Sequence, residues 1–212
     1  MKVQGEQYYH IARLQSAQDF IERFSNGECK GNELNQSTLD LYNFSPKIDL
    51  GDGTGERHII NALVRMKGVN PSQLGQLMDL IKTTLVRSNR RYMELIFEKY
   101  REKKCSELPS RLTCMFLSLK ENVGDWYPAL SPADSANIPI YLLEVRGQVH
   151  IGDHRWLDTD IMTQAMYENF AQSYWEGKQY DPNTKLIPEV LFQGTFKVIA
   201  KYDSLKDLEM RG

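Results

Sequence analysis

The chain has 212 residues, with 26 basic against 28 acidic side chains and 41% hydrophobic composition. A chain of this size buries about 70% of its unfolded surface, so it needs neither disulfide nor metal staples. Near-neutral charge argues against a global basic field for recruiting nucleic acid.

Cys29, Cys105 and Cys114 show no metal-ligand spacing. Their odd number argues against a secreted disulfide framework, so the expectation is a cytoplasmic protein without a metal. Met1-Lys2-Val3-Gln4 leads into charged residues rather than an apolar core. No signal peptide, transmembrane span or membrane partner is therefore expected.

In chain order, Gln7–Ala12 predicts a short strand carrying His10, and Ser16–Arg23 a short helix capped by Ser16. Gly27 and Gly31 punctuate a turn region, Thr38–Phe44 alternates as a second strand, and Ser45–Gly55 reads as loop. A long helix begins near Pro71-Ser72, where Leu74, Leu77, Met78, Ile81, Leu85, Tyr92 and Ile96 keep the helical period. Arg87, Arg90 and Arg91 fall elsewhere and read as its polar face. Leu112–Leu119 is apolar on both faces and predicts a central strand; Ile138–Val145 predicts a fourth. Asp160–Trp175 reads as a helix with Met162, Met166, Phe170 and Tyr174 as its core stripe.

The last strand is the most strongly patterned. Val190, Phe192, Phe196, Val198, Ala200 and Tyr202 share one face, and Leu191, Gln193, Thr195, Lys197, Ile199 and Lys201 the other. Pro188 has no N–H to give a ladder and marks the strand's start, which places Glu189 at its mouth. No repeat or linker divides residues 1–212, so one α+β domain is expected.

Several motifs carry no chemistry on these criteria. Gly51-Asp52-Gly53-Thr54-Gly55 has phosphate-loop composition but no following Lys-Ser/Thr pair. His150, Asp153 and His154 do not fix two imidazoles on one helix face and read as a solvated loop. Glu189–Gly194 resembles a viral protease recognition sequence, yet the alternation runs straight through it.

The order of these pieces carries a resemblance. Tyr9-His10 lies on the first strand, and Leu108-Pro109-Ser110-Arg111-Leu112 follows the long helix. Ser173-Tyr174-Trp175-Glu176-Gly177 closes the last helix before Pro188-Glu189-Val190-Leu191. Over nearly its whole length the chain resembles a bacterial family of ADP-ribosyltransferase-like proteins, related in fold to diphtheria toxin and the poly-ADP-ribose polymerases. The resemblance implies a split β-sheet core with flanking helices and a long central helix. It implies NAD as a substrate, without a metal.

Residue by residue, it implies that His10 bonds the adenosine ribose and that Tyr42 stacks on nicotinamide. It implies that Glu189 bonds the nicotinamide-ribose 2'-hydroxyl, with Ser110 and Arg111 near the dinucleotide and Arg13 a second phosphate contact. Arginine-modifying relatives carry Glu or Gln two residues before the catalytic Glu, where this chain has Ile187. A nucleic acid or another protein side chain is then the implied acceptor, or water. A toxin or phage-defence setting, with an antitoxin or other regulator as partner, is implied by analogy. A non-catalytic binding module and an RNA 2'-phosphotransferase are the alternatives on the same fold.

Overall fold

The computed structural model describes residues 1–12, 27–48, 57–58, 61, 71–131, 138–157 and 163–211. In chain order these form β1 (Lys2–Ile11), β2 (Glu28–Cys29), α1 (Gln36–Tyr42), β3 (Lys47–Ile48), β4 (Arg57–His58), α2 (Pro71–Lys104), β5 (Met115–Leu117), α3 (Val123–Leu130), β6 (Ile140–Asp153), α4 (Gln164–Trp175), β7 (Pro188–Tyr202) and α5 (Leu205–Arg211). Short 3-10 turns at Lys120–Asn122 and His154–Leu157 precede α3 and follow β6. Arg13, the expected Ser16–Arg23 helix and Gly51–Gly55 lie outside the described residues.

The main sheet is antiparallel and five-stranded, in the order β1-β6-β7-β2, with β5 also pairing β7. Tyr9 and Ser118 exchange backbone hydrogen bonds of 2.9 and 2.7 Å, so β5 also touches β1 and the sheet curls on itself. Val3, Tyr8, Leu143, Val145, Val149, Val190 and Phe192 fill the inside of that curl. On the other side, α2 and α4 pack Met93, Phe97, Tyr167, Ala171, Tyr174 and Trp175 against Leu191. This is a single mixed α/β domain, and its 34-residue α2 is the long central helix that the sequence predicts.

Gly147 and Gly194 face each other in the β6–β7 pair. A Cβ on either would sit 2.3 or 2.4 Å from a carbonyl oxygen of the other strand, so the backbones approach here as only glycine allows.

Four expectations need correction. Thr38–Phe44 is not a strand: Asn35 caps α1 by accepting from Thr38 N at 2.9 Å, and a short apolar run fits either period. The predicted Leu112–Leu119 strand shortens to Met115–Leu117, because a turn closed by Cys114 N to Ser110 O at 2.8 Å occupies its start. His150 and Asp153 are buried parts of β6 rather than a solvated loop. The buried stripe of α4 is Tyr167, Ala171, Tyr174 and Trp175, whereas Met166 is exposed.

The basic residues of α2 also do more than face water. Arg91 donates to the carbonyls of Leu41 and Tyr42 at 2.6 and 3.1 Å, satisfying the C-terminal end of α1. The Arg87 guanidinium lies 4.2 Å from the centre of the Phe44 ring. Among the described residues, no helix is long and apolar enough to cross a membrane, and no group of three or more His, Cys, Asp or Glu is placed to hold a metal.

Candidate active site

Glu189 is the second residue of β7, opposite Gly152 on β6, on the sheet face that meets the helices. Arg111 reaches it from the turn after α2 and donates Nη1 to Glu189 Oε2. The same guanidinium donates Nε and Nη2 to the two carboxylate oxygens of Glu94 on α2, at 3.0 and 2.9 Å. Its Nη1 also donates to the Tyr174 hydroxyl at 3.0 Å, and that hydroxyl donates to Glu189 Oε2 at 2.7 Å. One planar fork thus ties α2, α4 and β7 to the turn that carries it, a geometry that a lysine could not supply.

Burial and partners fix the protonation of the two donors. Burial works against the charged form of Arg111, but the fields of Glu94 and Tyr174 outweigh it and hold its pKa above the ordinary arginine value. Burial raises the Tyr174 pKa while Arg111 pulls it down; the net is upward, so its hydroxyl keeps the proton it donates.

Gly152 makes room for this. A Cβ there would lie 2.3 Å from the Tyr174 ring, so only glycine lets the ring lie flat enough to reach Glu189. Gly152→Ala should cost about 1–3 kcal/mol by overpacking, or about 2–12 °C in Tm. An unchanged melting curve would show that the ring has another place to go.

The second oxygen of Glu189 faces a different environment. His154 Nδ1 lies 3.7 Å from Glu189 Oε1, and the His154 ring stands edge-on to Trp126 at 4.8 Å between centres. Trp126 donates Nε1 to the carbonyl of Pro188 at 3.0 Å, and His154 N donates to the carbonyl of Ile187 at 2.8 Å. Both bonds pin the start of β7 beside the aromatic pair.

Of the residues singled out in the sequence, Arg111 and Glu189 therefore meet directly. His10 does not join them: its Nδ1 bonds the carbonyl of Phe116 at 2.9 Å, on the opposite side of β5 from β7. Strand alternation gives His10 the face of Tyr8 and Tyr141, and Glu189 the face of Leu191. Tyr42 sits on α1 with its ring 5.3 Å from the Arg91 guanidinium. Ser110 is a buried turn residue that accepts from Leu112 N at 3.1 Å. Ser110 also lines a cleft of about 490 Å³ with Lys30, Thr113, Gln148 and Gln193, apart from Glu189. The Arg111 guanidinium donates to Glu94, Tyr174 and Glu189.

Three members of the network, Glu94, Tyr174 and His154, are missing from the sequence-based set. Glu94 lies between Met93 and Phe97, both buried, so a carboxylate inside the apolar arc of α2 was the available signal. In the sequence Tyr174 reads as core and as part of the stretch that closes the last helix, and His154 as a rejected metal ligand.

His10 and His150 carry a pH dependence of their own. Burial, opposed by hydrogen bonds to the carbonyls of Phe116 and Tyr174, lowers each to about 4 from 6.5. The unfolded chain then binds more protons between pH 6.5 and 4, so stability falls as pH drops through that window. Each imidazole contributes on the order of 3 kcal/mol above pH 6.5. Thermal unfolding should show Tm dropping from pH 7 to pH 4.5, and less steeply in His150→Gln; a flat profile would contradict it.

A family model for proteins of unknown function, DUF2441, matches residues 8–206. The chain belongs to this family. No curated protein matches it. The DUF2441 match runs from within β1 into α5 and takes in Glu94, Arg111, His154, Tyr174 and Glu189 alike.

Proposed function

We propose that this DUF2441 chain is an NAD-dependent ADP-ribosyltransferase that passes ADP-ribose to a macromolecular acceptor other than protein arginine. Glu189 is its central carboxylate. Breaking the bond from ribose C1' to nicotinamide develops positive charge on the sugar, and a fixed carboxylate stabilises it and orients the ribose 2'-hydroxyl. One observation carries the reading: Arg111 and Tyr174 hold one oxygen of Glu189 and leave the other turned toward His154. A carboxylate pinned on one side and presented on the other is preorganised for charge that appears only in the transition state. Ile187, two residues earlier, is exposed and offers no carboxylate or amide to position an arginine.

A second reading has a specific observation behind it. Arg111 is shared by two buried carboxylates, an arrangement that also clamps a fold, and a non-catalytic binding module would need nothing more of it. NAD separates the two. At about 100 times its dissociation constant it should add roughly 2.7 kcal/mol, raising Tm by about 5–10 °C. No shift at millimolar NAD would favour the module.

A further inference from the structure

We propose that an exposed seam along α2 pairs with the same seam on a second copy of this chain. Leu74, Met78, Ile81, Leu85, Ser88, Tyr92 and Leu95 follow one another along α2 at alternating steps of four and three residues. That is the spacing of the a and d positions of a heptad, and it holds over the length at which heptads signal a coiled coil. All but Ser88 are apolar. Leu74, Met78, Leu85, Tyr92 and Leu95 are 49, 57, 56, 43 and 49% exposed, so the seam is open along its length.

The core of the domain uses other faces of the helix. Met93 and Phe97 are the α2 residues buried against α4, with Ile96 and Tyr100 packed beside them. Leu77 is buried on one flank of the seam. Tyr92 meets the Tyr167 ring edge-on at 5.8 Å and still keeps its exposure. Glu94 follows Tyr92 by two residues, about 200° around the helix, so pairing along the seam leaves its bonds to Arg111 untouched.

Two features make a second copy the occupant. A repeat of 3.5 residues is the period of a helix wound on another helix, whereas a straight helix lying on a core keeps 3.6. The flanking charges that select a different helix in mixed pairs are also sparse here. Lys82 and Arg91 are the charged residues at the flanking positions between Leu74 and Leu95, and Arg91 is turned to the carbonyls of α1. An uncharged apolar seam is complementary to itself about a two-fold axis, and that symmetry brings no row of like charges together. Ser88 is the polar position that fixes the register.

Sedimentation equilibrium of the full chain tests this, with thermal unfolding to confirm that each variant is folded. Wild type should reach twice the 24.6 kDa of one chain, with a dissociation constant of about 1 μM or tighter. Met78→Glu and Leu85→Glu each place a carboxylate in the seam and should weaken the dimer about 10²-fold or more. Met210→Glu, at a position 69% exposed on α5, should leave it unchanged. Wild type that stays monomeric at about 100 μM overturns the inference, whether the seam takes another partner or none. A dimer that both seam variants leave intact, or that Met210→Glu weakens equally, overturns it as well.

Discussion

Glu189→Gln is expected to lose about 10²–10³-fold in nicotinamide release while keeping the stabilisation that NAD confers. The amide has the shape of the carboxylate, and its oxygen can still accept from Tyr174 and Arg111 in place of Oε2. Only the negative charge is gone, and that charge matters when positive charge builds on the ribose. The fold should survive, because Arg111 keeps both of its bonds to Glu94. A variant that bound NAD and turned it over at the wild-type rate would remove Glu189 from the chemistry.

Arg111→Ala should have the largest effect on stability, about 3–5 kcal/mol, or roughly 6–20 °C in Tm. Two buried carboxylates would face each other with no cation between them, and the Tyr174 hydroxyl would lose one of its two partners. Replacing a single member is costly because of what it strands. Neutralising Glu94 and Glu189 in the same chain should therefore recover much of the loss, a non-additivity that a double-mutant cycle measures. Chemical denaturation of the single and combined variants provides the check. Additive losses would mean that the three groups act independently despite their contacts.

The elements that set the architecture were legible because their patterns are long. The helical period from Leu74 to Ile96 and the alternation from Val190 to Tyr202 both correspond to real elements. Short segments were not. Thr38–Phe44 fits a strand or a short helix, and the Asn35 cap that decides the matter also donates to the carbonyls of Arg111 and Cys114, 76 and 79 residues away. Burial on β7 likewise departs from simple alternation. Pro188–Phe192 is buried on both faces where β5 and the helices cover it, while Val198 and Ile199 are open to solvent.

Two of the five network residues, Arg111 and Glu189, are visible in the sequence. Glu189 stands out at the mouth of the last strand, and Arg111 enters through the family resemblance. Glu94 and Tyr174 were hidden because, seen locally, each belongs to a core helix. Only the curl of the sheet and the crossing of α2 with α4 brings them onto one guanidinium. His154 was set aside on ligand spacing, a test that cannot detect a partner 35 residues further along the chain.

Label transfer from radioactive NAD into a whole-cell lysate tests the central claim most directly, with wild type and Glu189→Gln side by side and lysates pretreated with nuclease or protease. Wild type should label a macromolecular fraction that one pretreatment abolishes, and Glu189→Gln should leave it unlabelled. Equal labelling by the two proteins, or none by wild type together with no nicotinamide release, would contradict an ADP-ribosyltransferase centred on Glu189.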